Sequence, residues 1–472
     1  MAFPNGGDAL DLVIRNADVV NASDRFTCDI GIRNGVIVLL GHGIPRGSIE
    51  MDAGGLLTLP GGVDAHCHLD QPMPLGLRMA DDFFTGTRSA ACGGTTTVIP
   101  FAAQSKGQSL TAAVDDYHRR ADGRAVVDYA FHLIVTDPTP SVLEEELPRL
   151  IRQGYTSFKV YMTYDDLKLN DREMLDVLDV AKRHSALVMV HAENAECIAW
   201  LTDRLTREAH VDPLYHAIAR PPVVEREATH RAISLAELVE VPILIVHVSG
   251  REAIKQIRWA QGRGLNILAE TCPQYLYLTA GDLELAGYEG AKCVCSPPPR
   301  SQADQEAVWR GLKEGVFSVF SSDHAPFSYD DPHGKKLDGI EQPFPKIPNG
   351  VPGIETRLPL LMRGVQEGRL SLHKFVELTS HGPARLYGLQ PRKGSISIGA
   401  DADIVMWDLA SRVRIDNAML HHAVDYTPYE GIEVPWPVHC LSRGELLVEN
   451  RRYLEPPPGR GFFLPAGLPV LR

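Results

Sequence analysis

Five stretches of the chain place a metal-ligating type of residue directly after an apolar run. "LLTLPGGVDAHCHLD" supplies His66 and His68, "SFKVYMTY" supplies Lys159 and Tyr164, and "LVMVHAEN" supplies His191. "ILIVHVSG" supplies His247, and "VFSVFSSDHAP" supplies Asp323. His66 and His68 are two residues apart, so an extended backbone turns both to one side. Imidazoles sharing a face ligate zinc and similar cations. An isolated H-x-H is a weak signal, because such pairs arise by chance in strands and loops. Three further ligand types in the same relation to an apolar run make this set specific.

Lys159 lies inside "TSFKVYMTY", where strand propensity is high throughout. An unpaired ammonium buried there would cost several kcal/mol. Desolvation lowers a lysine pKa and populates the neutral amine. A neutral amine adds carbon dioxide to form a carbamate, an anionic ligand with two oxygens. That group can bridge two cations, one held by His66 and His68 and the other by His191 and His247. The alternative is that Lys159 snorkels to the rim or pairs with a carboxylate; the four histidines favour the carbamate. Asp323 can ligate one cation and exchange a proton with the activated water. Its alternative is a helix N-cap, which suits the Asp-x-x-Pro context. His324 is expected to point elsewhere, and His184, His216, His381, His421 and His422 to be surface or structural.

Elements able to position these residues are visible in the texture of the chain. Residues 10–52 read as short β segments separated by polar turns. From about residue 56, apolar runs alternate with helical stretches such as "DREMLDVLDVAKRHS" and "EATHRAISLAELVEV". Such alternation over so many residues predicts a parallel sheet, and the number of units favours a closed (β/α)8 barrel. Active sites of such barrels lie at the C-terminal ends of the strands, where the candidate residues fall. After residue 395 β texture returns in "GADADIVMWD" and "CLSRGELLVEN". The expected organisation is an α/β protein: residues 1–55 as the first part of a small β-sandwich, 56–395 as a TIM-like barrel, and 396–472 as the second part. The tail "LEPPPGRGFFLPAGLPVLR" is expected to be an arm on another subunit, because Phe462, Phe463, Leu464 and Leu468 are poor residues to leave in water.

A net charge of -13 argues against nucleic acid or an anionic membrane as partner. No apolar run approaches the ~20 residues of a membrane-spanning helix, and no signal-peptide pattern opens the sequence. The eight scattered cysteines do not suggest a disulfide framework, so a reducing cytoplasm is expected.

Many motifs together resemble the cyclic amidohydrolases of the amidohydrolase superfamily, most closely the dihydropyrimidinase and hydantoinase branch. Among them are "GGVDAHCHLDQP", "ADDFFTGTRSAACGGTTTVIPF", "SFKVYMTY", "YHAIARPPVVEREATHRA", "AETCPQYLYL", "CSPPPR", "SSDHAPF", "NGVPGIETRLPLL" and "VDYTPYEG". The resemblance runs over nearly the whole chain. It implies two divalent cations, zinc being the expected metal. His66, His68 and Asp323 would bind the more buried one and His191 and His247 the other, with Lys159 bridging as N6-carboxylysine. It also implies that Tyr164 donates to the ring carbonyl, that Ser296 and the backbone at Asn349 hold the ring amide, and that the protein is a homotetramer or homodimer.

The implied reaction is hydrolysis of a dihydropyrimidine or 5-substituted hydantoin to an N-carbamoyl amino acid. Asp323 would move a proton from the nucleophile to the leaving nitrogen. Cyclic imide hydrolysis and allantoinase-like ureide hydrolysis are the alternatives. Dihydroorotases usually show H-x-H-x-R, whose arginine grips a substrate carboxylate; here Asp70 takes that position. Non-catalytic scaffold relatives have lost metal ligands, whereas all six are present here. Departures from the pattern include Cys295, His381 and an apolar loop with Met73, Leu75, Leu77 and Met79. That loop, with residues after Tyr164, is expected to favour rings carrying an apolar 5-substituent.

Overall fold

A computed structural model describes residues 9–74, 76–457 and 459–471. The N-terminal region forms β1 (Leu10–Val20), β2 (Arg25–Arg33), β3 (Val36–Gly41), β4 (Gly47–Asp52) and β5 (Leu57–Pro60). The central strands are β6 (Gly62–Cys67), β7 (Thr95–Ala103), β8 (Asp128–Tyr129), β9 (His132–Ile134), β10 (Ser157–Tyr161), β11 (Leu187–His191), β12 (Ile243–Ile245), β13 (Ile267–Thr271) and β14 (Val319–Phe320). The C-terminal region adds β15 (Ile404–Trp407), a ribbon of β16 (Val413–Arg414) and β17 (Glu433–Val434), then β18 (Pro437–Ser442), β19 (Glu445–Glu449) and β20 (Arg452–Tyr453).

Both chain ends build one sheet, ordered β20-β19-β18-β15-β5-β1-β2-β3, with β4 also on β1. One set of its apolar residues, among them Ile14, Ile30, Ile404 and Leu441, forms a cluster of its own, while Leu59, Val405, Trp407 and Cys440 join the central one. The segment "LTLP" (β5), expected in the barrel, instead pairs with β1 and β15, so the central sheet starts at Gly62. The central strands run parallel in the order β14-β13-β12-β11-β10-β9-β7-β6, with β8 beside β7. Bonds from Asp323 N to His66 O (2.9 Å) and from His68 N to His324 O (2.7 Å) join the two edges and close the barrel.

Helices alternate with these strands because their sequences carry apolar residues three and four apart. The helix Asp171–His184 buries Met174, Val177, Leu178 and Ala181, and a capping box of Asn170 and Glu173 starts it. Strand side chains divide by the pleat. In β10, Phe158 and Val160 join the cluster beneath the helices, while Tyr161 belongs to the barrel interior. Lys159, in phase with Tyr161, therefore also points inward.

The tail does not behave as expected. Leu464 N bonds Tyr129 O (2.7 Å) and Ala466 N bonds Gly154 O (3.0 Å), so the arm lies on its own barrel. Gly154 has a φ of +99°, and a Cβ there would fall 2.7 Å from Pro465. Phe463 stacks on Tyr155, and Leu464 enters the barrel-interior cluster, so the barrel itself shields two of the four apolar tail residues from water. Phe462 and Leu468 remain 39% and 52% exposed. Among the described residues no helix is long and apolar enough to cross a membrane.

Lys393 ties the terminal sheet to the barrel. Its buried ammonium contacts Asp128 (2.8 Å), Asp403 (2.7 Å) and Asp401 (3.0 Å). Burial opposes the charge, but Asp403, Asp128 and Asp401 outweigh it and raise the lysine pKa. Lys393→Met would remove the cation shared by three buried carboxylates, leaving Asp401 to Arg392, Asp128 to Arg443 and Asp403 to the Arg443 amide. A loss of about 3 kcal/mol of stability is expected. The unfolding midpoint measures it; an unchanged midpoint would show that the cluster contributes nothing net.

Candidate active site

The candidate residues meet at the C-terminal end of the barrel. In β6, Val63 and Ala65 face the interior, and a register shift between Asp64 and Cys67 follows. This irregularity turns His66 inward against Phe101 and sends Cys67 into the outer cluster, the re-aiming that bulges produce. Barrel closure then delivers Asp323. His66 Nε2 lies 3.2 Å and His68 Nε2 3.5 Å from Asp323 Oδ1. Offering one atom each, the three present ligand atoms within 4.8 Å of one another and could hold a metal ion.

Lys159 Nζ is 2.8 Å from His66 Nε2, and the residue is 1% exposed. Aromatic rings rather than carboxylates surround the amine, with Phe101 at 4.6 Å and Tyr161 at 4.9 Å. The His191 ring is 4.4 Å from that of His247, which is 5.5 Å from that of His66. All four imidazoles, the amine and Asp323 thus form one contiguous group. Three functional candidates adopt left-handed backbone: Tyr164 (φ +68°), His247 (+38°) and Asp323 (+48°). Such strain concentrates at functional sites. Asp323 starts no helix, so the N-cap alternative does not apply.

Residues that sequence reading passed over orient the candidate ligands. Glu270 Oε1 holds His66 Nδ1 at 2.6 Å, leaving Nε2 to face the site. Gln71 Oε1 does the same for His68 Nδ1 at 2.7 Å. Glu193 Oε2 takes His191 Nε2 at 2.9 Å, leaving Nδ1, and is itself held by Arg220 at 3.1 Å. Outer carboxylates and amides of this kind fix the ring orientation of metal-binding histidines. His247 Nδ1 and Glu193 Oε1 are buried with no partner among the described residues. Converging nitrogens, an inward amine and an orphaned imidazole nitrogen fit a cation-binding donor set.

Burial dominates the electrostatics. It lowers the pKa of His66 and His247 well below the usual range, with Lys159 and His191 respectively adding to the effect. These imidazoles are held neutral, as ligands must be. Burial likewise brings Lys159 down to about 8, against the attraction of Asp323 and Glu270. Burial alone would raise Asp323, but His66, His68 and His247 overcome it and hold the carboxyl well below its ordinary value.

The remaining expected contacts border this group. Asn349 Nδ2 lies 3.3 Å from the Tyr164 hydroxyl, and Asn349 Oδ1 is buried without a partner. Burial raises the Tyr164 pKa, with Arg220, Ser296 and Asn349 opposing it. Ser296 Oγ is 3.3 Å from His216 Nε2, which also bonds Cys295 O at 2.9 Å. His216 thus supports Ser296. His324 points away, to Asp81 and the Gly353 amide. Asp70 pairs with Arg120 at 3.1 Å and offers no cation to a substrate carboxylate. Cys92, Glu355 and His421 also lie close together. There the carboxylate already accepts from Ser89, the His421 amide and the His421 ring, so the group is a satisfied hydrogen-bonded pair.

Residues 57–441 match the model of the Amidohydrolase family. The chain belongs to that family. It is 43% identical to a D-hydantoinase of Ralstonia pickettii over 96% of this chain and 98% of that one. A D-phenylhydantoinase of Escherichia coli is 38% identical, covering 96% and 97%. The crystal structure of dihydropyrimidinase from Brevibacillus agri superposes with a TM-score of 0.93 at 42% identity, over 97% of this chain and 99% of that one. Within the amidohydrolase family, therefore, this member falls in the hydantoinase and dihydropyrimidinase branch.

Proposed function

We propose that this amidohydrolase opens hydantoin or dihydropyrimidine rings to N-carbamoyl amino acids and depends on two divalent cations. The observation that carries the reading is Lys159, an amine inside a barrel whose neighbours are imidazoles and rings. Above its lowered pKa the amine is neutral, and its lone pair forms a bond to carbon dioxide while a proton leaves. The resulting carbamate would sit between the two halves of the donor set. His66 Nε2, His68 Nε2 and Asp323 would hold one cation, and His191 Nδ1 and His247 the other. Zinc suits such nitrogen and oxygen donors. When bound, the cations supply Lewis acidity to the ring carbonyl and acidify water.

The chain's own residues account for the remaining steps. The raised pKa of Tyr164 keeps its phenol protonated, able to donate to the carbonyl oxygen as negative charge develops there. Ser296 and the backbone at Asn349 hold the ring amide. Asp323 accepts the water proton and passes it to the ring nitrogen as the C–N bond breaks. Eight unpaired cysteines suit a reducing cytoplasm. The exposed Phe462, Leu468 and Val470 leave apolar surface for a homodimer or homotetramer.

Met73, Leu77 and Met79 cluster with Ala325 and Phe327, just beyond Asp323, while Leu75 lies outside the described residues. This apolar wall supports preference for a 5-substituted ring. The expected kcat/KM for 5-phenylhydantoin exceeds that for dihydrouracil by about tenfold, the scale of one buried apolar group. Preference for the bare ring in a side-by-side assay would refute the assignment of the wall. Lys159→Ala is expected to lose bound metal and activity together, with partial recovery in short carboxylic acids. Retention of full metal content by that variant, read by elemental analysis, would defeat the carbamate.

A further inference from the structure

The loop after the barrel's last strand contains a second lysine with no access to solvent. Lys335 is 0% exposed, and its Nζ donates to Val294 O (3.0 Å), Pro348 O (2.7 Å) and Gly350 O (2.8 Å). An ammonium has three N–H donors, and this cage engages all of them. Carbonyl dipoles, not a carboxylate, meet the charge. Burial pushes the amine down to about 7, opposed only by the Cys295 and Cys293 thiols. The lysine backbone is itself anchored: its N–H bonds Ser328 O at 2.8 Å, and its carbonyl accepts the Tyr288 hydroxyl at 2.9 Å.

The three carbonyls come from two separate segments. Val294 stands two residues before Ser296, while Pro348 and Gly350 flank Asn349. One backbone bond, from Gly350 N to Val294 O (3.0 Å), joins the same segments directly. Gly350 is also pressed against the residues after Asp323, since a Cβ on it would fall 2.4 Å from that of Ala325. We infer that Lys335 is a positioning residue: it sets the distance between Ser296 and Asn349, and so the grip on the ring amide, without touching the ring. This rests on the assignment of those two residues to the substrate in the preceding section. A fixed spacing matters because a ring amide must meet both groups at once, and binding strength falls steeply when one hydrogen bond is lost.

Two variants of the full-length, metal-loaded protein test it. Lys335→Met preserves the apolar stem and removes every donor; Lys335→Gln retains two N–H groups. KM for hydantoin is expected to rise about tenfold in the first and about threefold in the second, as befits one or two weakened hydrogen bonds. In both, kcat should stay within about threefold of wild type and metal content should be unchanged. If Lys335→Met does not fold, Lys335→Gln decides alone. An unchanged KM, a fall in kcat without a change in KM, or failure of both variants to fold would overturn the inference. Wild-type protein that leaves hydantoin unopened would instead overturn the functional reading beneath it.

Discussion

A buried primary amine set against one imidazole nitrogen and two aromatic faces, with no carboxylate in contact, is the constraint on which the rest of this barrel depends. The chain buries three lysines and treats each differently. Lys393 is met by three aspartates and stays charged. Lys335 is met by three carbonyl oxygens. Lys159 is met by His66 Nε2 and aromatic faces, a setting that lowers its pKa and enlarges the neutral fraction of the amine. Only the last lacks a direct anionic or carbonyl partner: Asp323 and Glu270 attract its charge without touching it, and burial outweighs them.

Positioning that amine among its partners follows from strand geometry. The pleat sends Lys159 inward with Tyr161, and the irregularity in β6 sends His66 to meet it. Closure between the first and last strands brings Asp323 beside the histidine pair through main-chain bonds, with Ser322 and Arg357 side chains bonding across the same seam. Glu270, Gln71 and Glu193 then turn the rings of His66, His68 and His191 so that one nitrogen of each faces the group. Rigid main chain sets where the donors stand, and buried acceptors set how they face. Left-handed backbone at Tyr164, His247 and Asp323 is the strain this arrangement carries.

Much of this was legible in the residues, for a physical reason. A parallel barrel gathers strand ends, so a polar residue closing an apolar run lands in the site; His191, His247 and Asp323 obey that rule. Glu270 obeys it too, at the end of "NILAE", but a carboxylate signals a ligand less distinctly than histidine does. His132 lies within an apolar stretch yet has both ring nitrogens occupied by Ala65 O and Ser157 Oγ. Lys335 and Lys393 were invisible, because lysines in "HGKKLDG" and "PRKGSIS" look like solvated loop residues until distant carbonyls and aspartates close over them. The tail misled in a different way: its apolar residues required cover, but sequence does not say whose surface provides it.

Diffraction from crystals of metal-replete protein, recorded on either side of the zinc absorption edge, tests the account most directly. It predicts two anomalous peaks, one beside His66, His68 and Asp323 and one beside His191 and His247, with planar density extending past Lys159 Nζ between them. A bare ammonium at Lys159, with neither peak in a fully loaded sample, would contradict it.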